Sequence, residues 1–421
     1  MGVSPSDRDH AAPSPPRCAG GKPRVRKLLP KMALLCGACV LVLLMLEGAT
    51  RLFTHVVPPL LVNDPVVGMT FCPHFSGSVF VPESSREVFL RFNREGMRGP
   101  DWPYDKRPDV CRVAIVGDSM IAAIATEEEK TLVNRLGERL NGSAADPRFE
   151  ILNFGVSGSS TGQELVLYRE IVRKYHPDVV VCAFCVNNDF GDNCSRLTSN
   201  RGRIYFEVGA DDQLVQVPLL PGRAALTSWL NRHSRFYVWQ KDMTQRAINN
   251  LRGQAMQLAA RAGHETTTVD SGGLGVFCSE PDDTLQYAWR VTEKLLAAMH
   301  QEVAADGVEF LIAAIPAGLQ IYDDAWQQVE ATAELPIDPR YPDKRLTAIA
   351  RRLGVPLVLM TDEFRASAPH HSQAAVEEWL HYDAFGHLND RGNDVAAEAV
   401  YHELLKRSAV YITRRPTRAE Q

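Results

Sequence analysis

Four short polar segments occur in a fixed order and together carry the residue types that ester cleavage needs. Ser119 follows a Gly-Asp dipeptide and could act as a nucleophile, while His387 could accept its proton. Gly158 offers a backbone N–H and Asn188 a side-chain amide, which are the kinds of donor that stabilise an oxyanion. Asp383 lies four positions before His387 and could orient its imidazole ring. The combination predicts a serine hydrolase or acyltransferase that uses neither metal nor cofactor.

Each segment has an ordinary structural explanation when it is taken alone. A Gly-Asp-Ser tripeptide is common in turns, and Asn188-Asp189 could cap a helix. A single histidine such as His387 is more often a solvated loop residue or a core residue than a base. The joint occurrence of the four segments at related positions in the fold is therefore the stronger indication of a site.

Short apolar runs alternate with helical patterns from Arg112 onward. The predicted strands are 112–116, 149–153, 179–184, 310–315 and 357–360, and the predicted helices are 131–140, 161–175, 285–305, 346–353 and 395–407. This alternation predicts an α/β domain with a parallel sheet covered by helices on both faces. Ligands of such sheets bind beyond the carboxyl ends of the strands. Ser119, Gly158 and Asn188 each follow a predicted strand, so we expect them to converge there.

The four segments resemble the sequence blocks of the SGNH, or GDSL-type, hydrolases. Gly117-Asp118-Ser119 is similar to the nucleophile block and Gly155-Val156-Ser157-Gly158 to the glycine block. Asn187-Asn188-Asp189 is similar to the asparagine block, and the segment from Asp383 to Asn389 to the acid and histidine block. The resemblance covers about 101–407, apart from an insertion in the middle.

The resemblance implies a three-layer α/β/α flavodoxin-like sandwich with a central parallel sheet and metal-free ester chemistry. It also implies an oxyanion hole formed by the backbone amides of Ser119 and Gly158 and the side chain of Asn188. Membrane-anchored bacterial members of the family include acyltransferases, so the resemblance allows transfer of the acyl group to a polysaccharide hydroxyl as well as to water.

The chain departs from the family pattern at two positions. Val186 stands where the asparagine block usually has its first glycine, and His387 follows Asp383 by four positions instead of three. The second departure weakens Asp383 as the partner of His387, and Asp362, after the last predicted strand, is a competing acid. We assign Asp118 to loop geometry and not to proton transfer.

The N-terminal region has the pattern of a membrane-targeting segment. An uncharged run, Met32 to Leu46, follows a leader rich in basic residues, namely Arg17, Lys22, Arg24, Arg26, Lys27 and Lys31. We predict a disordered cytoplasmic leader over 1–31, a transmembrane anchor over 32–53 and an anchor-proximal arm over 54–109. The hydrolase-like domain over 110–410 would then face the periplasm or exterior of a bacterial inner membrane. A cleaved signal peptide is the alternative to the anchor.

The alternation of strands and helices breaks between about 190 and 283. Helical character over 223–262 predicts a helical insertion at the end of the third strand, and 271–275 is a glycine-rich, flexible stretch. An insertion at this position could form a lid over the site or could be a packed extension with no role in substrate binding.

The composition of the chain limits the classes of partner and ligand that we expect. The formal net charge is -5 and the pI about 6.2, which does not favour nucleic acid as a partner. Cys182 and Cys185 are three apart in a predicted strand, so they should lie on opposite faces as buried thiols and not form a redox or metal motif. His370, His371 and His381 show no regular ligand spacing, so no metal site is predicted there.

The function predicted from the sequence is an extracytoplasmic, membrane-tethered serine esterase that acts on an ester or an acylated carbohydrate. Two alternatives stay open at this point. One is an O-acyltransferase that modifies an envelope or exported polysaccharide, and the other is a non-catalytic envelope scaffold with the same fold. The sequence does not determine the acyl chain, the alcohol or the oligomeric state.

Overall fold

The computed structural model describes most of the chain. The described ranges are 24–53, 60–142, 148–198, 203–218, 229–231, 233–241, 243–244, 271–369, 378–383 and 386–413. Residues 1–23 of the predicted leader and most of the predicted helix over 223–262 lie outside these ranges, as do His370 and His371. Residues 24–31, which the sequence assigned to a disordered leader, are helical and form the start of the first helix.

Strands and helices alternate through most of the described chain. The strands are β1 (Leu61–Asp64), β2 (Gly68–Phe71), β3 (Ser76–Val81), β4 (Arg86–Arg91), β5 (Cys111–Gly117), β6 (Phe149–Gly155), β7 (Val179–Cys185), β8 (Phe206–Val208), β9 (Leu214–Gln216), β10 (Glu309–Ile315) and β11 (Leu357–Leu359). The helices are α1 (Arg24–Phe53), α2 (Ser119–Ala122), α3 (Leu132–Asn141), α4 (Thr161–Glu170), α5 (Asp189–Asp192), α6 (Ser271–Gly275), α7 (Asp283–Ala305), α8 (Gly318–Ile321), α9 (Asp323–Glu330), α10 (Tyr341–Leu353), α11 (Thr361–Ser367) and α12 (Asp390–Thr413).

Five parallel strands form the central sheet in the order β11-β10-β7-β5-β6. Numbered along the chain, this order is 2-1-3-4-5 when read from the other edge, which is the flavodoxin-like arrangement. One face packs against buried residues of α4, α7 and α10, and the other against buried residues of α3, α11 and α12. The predicted three-layer α/β/α sandwich is therefore confirmed.

The strands of the sheet are apolar because both of their faces are covered. Every residue of β5 and β7 is buried, which explains why these strands read as continuous apolar runs and not as alternating patterns. Cys182 packs in the core on one face and Cys185 in the core on the other, as the strand period requires. Both are buried free thiols, as predicted.

One predicted helix is shorter than its pattern indicates. The helix predicted over 161–175 ends as α4 at Glu170, and a separate turn of 3-10 helix follows over Val172–Tyr175. Ile171 between them leaves the helical region at φ -126°, while Val172 and Tyr175 stay buried in the core. The helical spacing of apolar residues therefore continues although the α-helix itself is interrupted at Ile171.

The predicted arm before the α/β domain contains two antiparallel hairpins, β1-β2 and β3-β4. Apolar side chains of the second hairpin, including Val88 and Leu90, pack with Ala122 and Ala125 next to α2. Buried Arg98 ties the arm to the same place, because its guanidinium donates to the Ala122 carbonyl at 3.1 Å. The arm is thus part of the packed domain at the end where Ser119 lies.

The insertion contains sheet as well as helix. β8 and β9 form an antiparallel hairpin that the sequence did not predict. Three-residue strands are too short to show a clear alternation. Residues 233, 235–241 and 243–244 are helical and lie within the range where the sequence predicted helix.

Candidate active site

Ser119 begins helix α2 directly after the carboxyl end of strand β5. The preceding Asp118 caps this helix, since its Oδ1 accepts the backbone N–H of Met120 at 2.9 Å. The other carboxylate oxygen lies 3.4 Å from Ser119 Oγ. Asp118 is fully buried. These contacts hold the turn that presents Ser119 at the edge of the sheet.

His387 faces Ser119 across the strand ends. Its Nε2 lies 2.8 Å from Ser119 Oγ, closer than the Asp118 carboxylate. The other ring nitrogen, Nδ1, lies 2.7 and 2.8 Å from the two carboxylate oxygens of Glu83. A hydroxyl, an imidazole and a carboxylate in this sequence of contacts have the geometry of a catalytic triad.

The carboxylate beside His387 differs from the predicted one. Glu83 also accepts the backbone N–H of His387 at 2.9 Å, so both the ring and the main chain of His387 hold the Glu83 carboxylate in place. Gly386 leaves room for this approach, because a Cβ there would lie only 2.9 Å from Glu83 Oε1. Asp383 lies at the other end of this tight turn, where its carbonyl accepts the N–H of Gly386 at 3.2 Å. The predicted position of Asp383 against Nδ1 is thus occupied by Glu83.

The competing acid, Asp362, lies elsewhere. Its side chain is 82% exposed and pairs with Arg340 at 2.6 Å. The strand that precedes it, β11, is at the edge of the sheet, and β10 and β7 lie between it and β5. Asp362 therefore does not take the place of Asp383 either.

Glu83 lies in the turn of the β3-β4 hairpin, 304 residues before His387. Arg86 fixes this hairpin to the domain through Asp390 at 2.7 Å and through the hydroxyl of Tyr382 at 2.9 Å. Sequence reasoning assigned no function to the arm, because a glutamate in a Pro-Glu-Ser-Ser turn looks like ordinary surface. The only signal was indirect, namely the irregular spacing between Asp383 and His387.

Gly158 lies in the loop that follows strand β6, with a left-handed backbone at φ +76°. Two hydrogen bonds join this loop to the end of strand β5, since Val156 N–H and Ser159 Oγ both donate to the Gly117 carbonyl at 3.0 Å. The side chain of Arg203 adds a third contact by donating from Nε to the Gly158 carbonyl at 3.0 Å. The loop is therefore held beside Ser119, as the sequence predicted.

Asn188 follows strand β7 and precedes α5. Its amide nitrogen donates to Asp192 Oδ2 at 3.2 Å, and the same side chain lowers the pKa of Asp118, which burial raises. The amide nitrogen carries two hydrogens, so one N–H remains for another acceptor after the bond to Asp192. Asn188 thus offers a donor next to Ser119.

The groups around His387 favour the protonated form of its imidazole and the ionised form of Glu83. Burial lowers the pKa of His387, but its hydrogen bond to Glu83 and the charge of that carboxylate outweigh burial and raise the pKa above its usual value. The charges of Asp118 and Asp383 add smaller increases. Burial likewise raises the pKa of Glu83, yet the hydrogen bonds from His387 lower it overall. Glu83 is therefore ionised at neutral pH and stabilises an imidazolium.

Two more carboxylates are buried beneath Asp118. Burial, followed by the charge of Asp118, raises the pKa of Glu164 to about 8. Burial and the charges of Glu164 and Asp118 raise the pKa of Asp189 as well. Buried like charges oppose one another's ionisation, so the pKa shifts belong to the cluster of Asp118, Glu164 and Asp189 as a whole. The region under Ser119 therefore favours less negative charge than its composition suggests.

No family model and no curated protein matches this chain. Similar solved structures include the acetyl xylan esterase AlAXEase, at 16% identity over 70% of this chain and 99% of that chain, with a TM-score of 0.37. A lipase/acylhydrolase from Enterococcus faecalis is 11% identical over 71% of this chain and 97% of that chain, with a TM-score of 0.36. A GDSL-like lipase from Bacteroides thetaiotaomicron is 12% identical over 70% of this chain and 88% of that chain, with a TM-score of 0.31. Identities at this level carry no information about substrate.

Proposed function

We propose that the chain is a serine ester hydrolase with Ser119 as nucleophile, His387 as general base and Glu83 as the carboxylate that orients the base. The observation that carries this proposal is the pair of contacts on one imidazole: Nε2 lies 2.8 Å from Ser119 Oγ, and Nδ1 lies 2.7 Å from Glu83. A serine hydroxyl needs such a base, because it is a weak nucleophile at neutral pH.

The proposed reaction proceeds through an acyl-enzyme. Ser119 Oγ attacks the ester carbonyl carbon while its proton passes to His387 Nε2, and Glu83 stabilises the imidazolium that forms. The alcohol then leaves with that proton. Water gives up a proton to the same nitrogen as it attacks the acyl group, and the acid is released as Oγ recovers its proton.

A fluorophosphonate probe tests the proposed function directly. The probe is added to the full chain in detergent, and the site of the adduct is found by mass spectrometry of peptides. We expect one adduct, on Ser119, because only a serine next to a general base reacts with such probes at neutral pH. Labelling of another serine, or none in folded protein, would contradict the proposal and favour the scaffold alternative.

We infer further that the amides of Ser119 and Gly158 and the side chain of Asn188 form the oxyanion hole. Replacing Asn188 by alanine should then lower kcat about 100- to 1,000-fold, the usual effect of losing one such donor. KM should change little, because the donor acts on charge that develops only in the transition state. Steady-state kinetics on a p-nitrophenyl ester measures both constants, and an unchanged kcat would exclude Asn188 from this role.

We propose that α1 is retained as a membrane anchor with the hydrolase-like domain outside the cytoplasm. The helix is long and apolar enough to cross a membrane over Pro30–Phe53. Its outer end is built into the fold: Glu47 accepts the hydroxyl of Ser234 at 2.8 Å and the backbone N–H groups of Arg235 and Phe236 at 2.9 and 3.0 Å. Cleavage after this point would remove the cap of an insertion helix, which favours an anchor over a cleaved signal.

The intact mass of the protein extracted from membranes tests the anchor. A retained anchor predicts that residues 30–53 stay on the chain and that the protein remains in the membrane fraction at high pH. Replacing Glu47 by glutamine should leave this fraction unchanged but loosen the insertion, measured as faster proteolysis near Ser234. A mature chain that begins after Glu47 would contradict the proposal.

A further inference from the structure

Two of the proposed oxyanion donors come from different loops, and a buried ion pair joins these loops. Arg203 Nε donates to the carbonyl of Gly158 at 3.0 Å. The same guanidinium pairs with Asp192 Oδ1 at 2.5 Å. The other oxygen of Asp192 accepts the side-chain amide of Asn188 at 3.2 Å. A continuous chain of polar contacts therefore connects the two donors through side chains that lie outside the triad.

The ion pair lies in the interior of the protein. The side chain of Arg203 is 8% exposed and that of Asp192 is 14% exposed. Burial raises the pKa of Asp192, and the charge and hydrogen bond of Arg203 oppose that rise. A buried pair of this kind adds little net stability, although the loss of one partner leaves an uncompensated charge. The pair is therefore more suited to holding the groups it contacts in fixed positions than to stabilising the fold.

Each end of the chain restrains a group that could otherwise rotate. Gly158 has the left-handed φ of +76° and no side chain to limit its ψ. Arg203 holds the peptide that follows Gly158, while Ser159 N–H donates to the Val156 carbonyl at 3.0 Å. At the other end, the bond to Asp192 holds the side-chain amide of Asn188 through one N–H and leaves the second N–H for an oxyanion.

We propose that Asp192 and Arg203 are positioning residues that set the Gly158 loop and the Asn188 side chain as donors for one oxyanion. This inference rests on the proposed function. A donor that is 1 Å out of place loses much of its effect on the transition state, because electrostatic stabilisation requires donors fixed before the reaction. Arg203 is suited to the task, since its planar fork bonds two acceptors in fixed directions and a lysine cannot do so.

Kinetics of Arg203→Met, Arg203→Lys and Asp192→Asn in the full chain tests the inference. We expect Arg203→Met to lower kcat about 10- to 100-fold with KM nearly unchanged, which is less than the loss of a donor itself. Arg203→Lys keeps the charge but not the fork, so it should recover only part of the loss. A matched control is Arg169→Met, which breaks the 2.5 Å ion pair with Glu302 between α4 and α7 and should leave kcat unchanged.

The double variant Arg203→Met with Asn188→Ala separates positioning from a general structural effect. If Arg203 acts through the Asn188 donor, the Arg203 change should cost less in the Asn188→Ala background than in the wild type. Additive losses, or a kcat in Arg203→Met equal to that of the wild type, would overturn the inference. Should Arg203→Met fail to fold by circular dichroism, Arg203→Lys and Asp192→Asn carry the same comparison.

The outcomes for this inference and for the proposed function are distinguishable. Fluorophosphonate labelling of Ser119 in the wild type is measured first. If Ser119 is labelled and the Arg203 and Asp192 variants react at the wild-type rate, the positioning role fails and the hydrolase stands. If Ser119 in the folded wild type is not labelled, the proposed function fails, and the positioning role fails with it.

Discussion

Replacing Ser119 or His387 by alanine should lower kcat for ester hydrolysis by about 10⁶-fold, and the double variant should lose no more than either single one. The reason is that the proposed nucleophile and base would act as one unit across the 2.8 Å contact between Oγ and Nε2. Release of p-nitrophenol from a short-chain ester, followed over hours at high enzyme concentration, measures the residual rate. Covalent labelling by a fluorophosphonate should disappear in both variants.

Two surface residues provide matched controls for this experiment. Ser195 is a serine of the insertion that donates to Glu207 at 3.3 Å, and His402 is a 62% exposed histidine that pairs with Glu398 on α12. Alanine at either position should leave kcat within about twofold, since surface substitutions away from a site rarely matter. A residual rate in Ser119→Ala close to that of the wild type would show that another residue is the nucleophile.

Replacing Glu83 by glutamine should lower kcat by about 10,000-fold, the size of effect seen when the carboxylate of a triad is made neutral. Glutamine keeps the size of the side chain but can present an N–H to Nδ1, which favours the wrong imidazole tautomer. Glu87→Gln makes the same change at an exposed glutamate of the same hairpin and serves as the control for a general effect on the arm. Asp383→Asn should have a much smaller effect, because Glu83 and not Asp383 lies against Nδ1.

The pH profile of the same variants distinguishes the two acids independently. His387 must be neutral to act as a base, so kcat/KM should fall as the pH drops through its pKa. Glu83 raises the pKa of His387 after overcoming the effect of burial. Removing that charge in Glu83→Gln should therefore move the acid limb to lower pH, and Asp383→Asn should move it less. An equal or larger shift in Asp383→Asn would restore Asp383 as the partner.

Much of the sheet could be predicted because its strands are buried on both faces. β5, β6 and β7 appear in the sequence as apolar runs that end at a polar segment, and each segment carries one candidate residue. Parallel strands bring their carboxyl ends to one edge, so the convergence of Ser119, Gly158 and Asn188 followed from the order of the elements. The break after α4 was missed, since apolar period alone does not show where a backbone leaves the helix.

The sequence by itself determined the parallel α/β sheet, the apolar N-terminal segment, and the nucleophile, base and donor residues as candidates, because these depend on local patterns and on strand order. Only the tertiary structure decided which carboxylate lies against the His387 ring, because Glu83 reaches it through a hairpin that docks from 304 residues away. It likewise decided the link between Asn188 and Gly158 through Asp192 and Arg203. Contacts of this kind depend on packing between distant segments, for which one sequence contains no periodic signal.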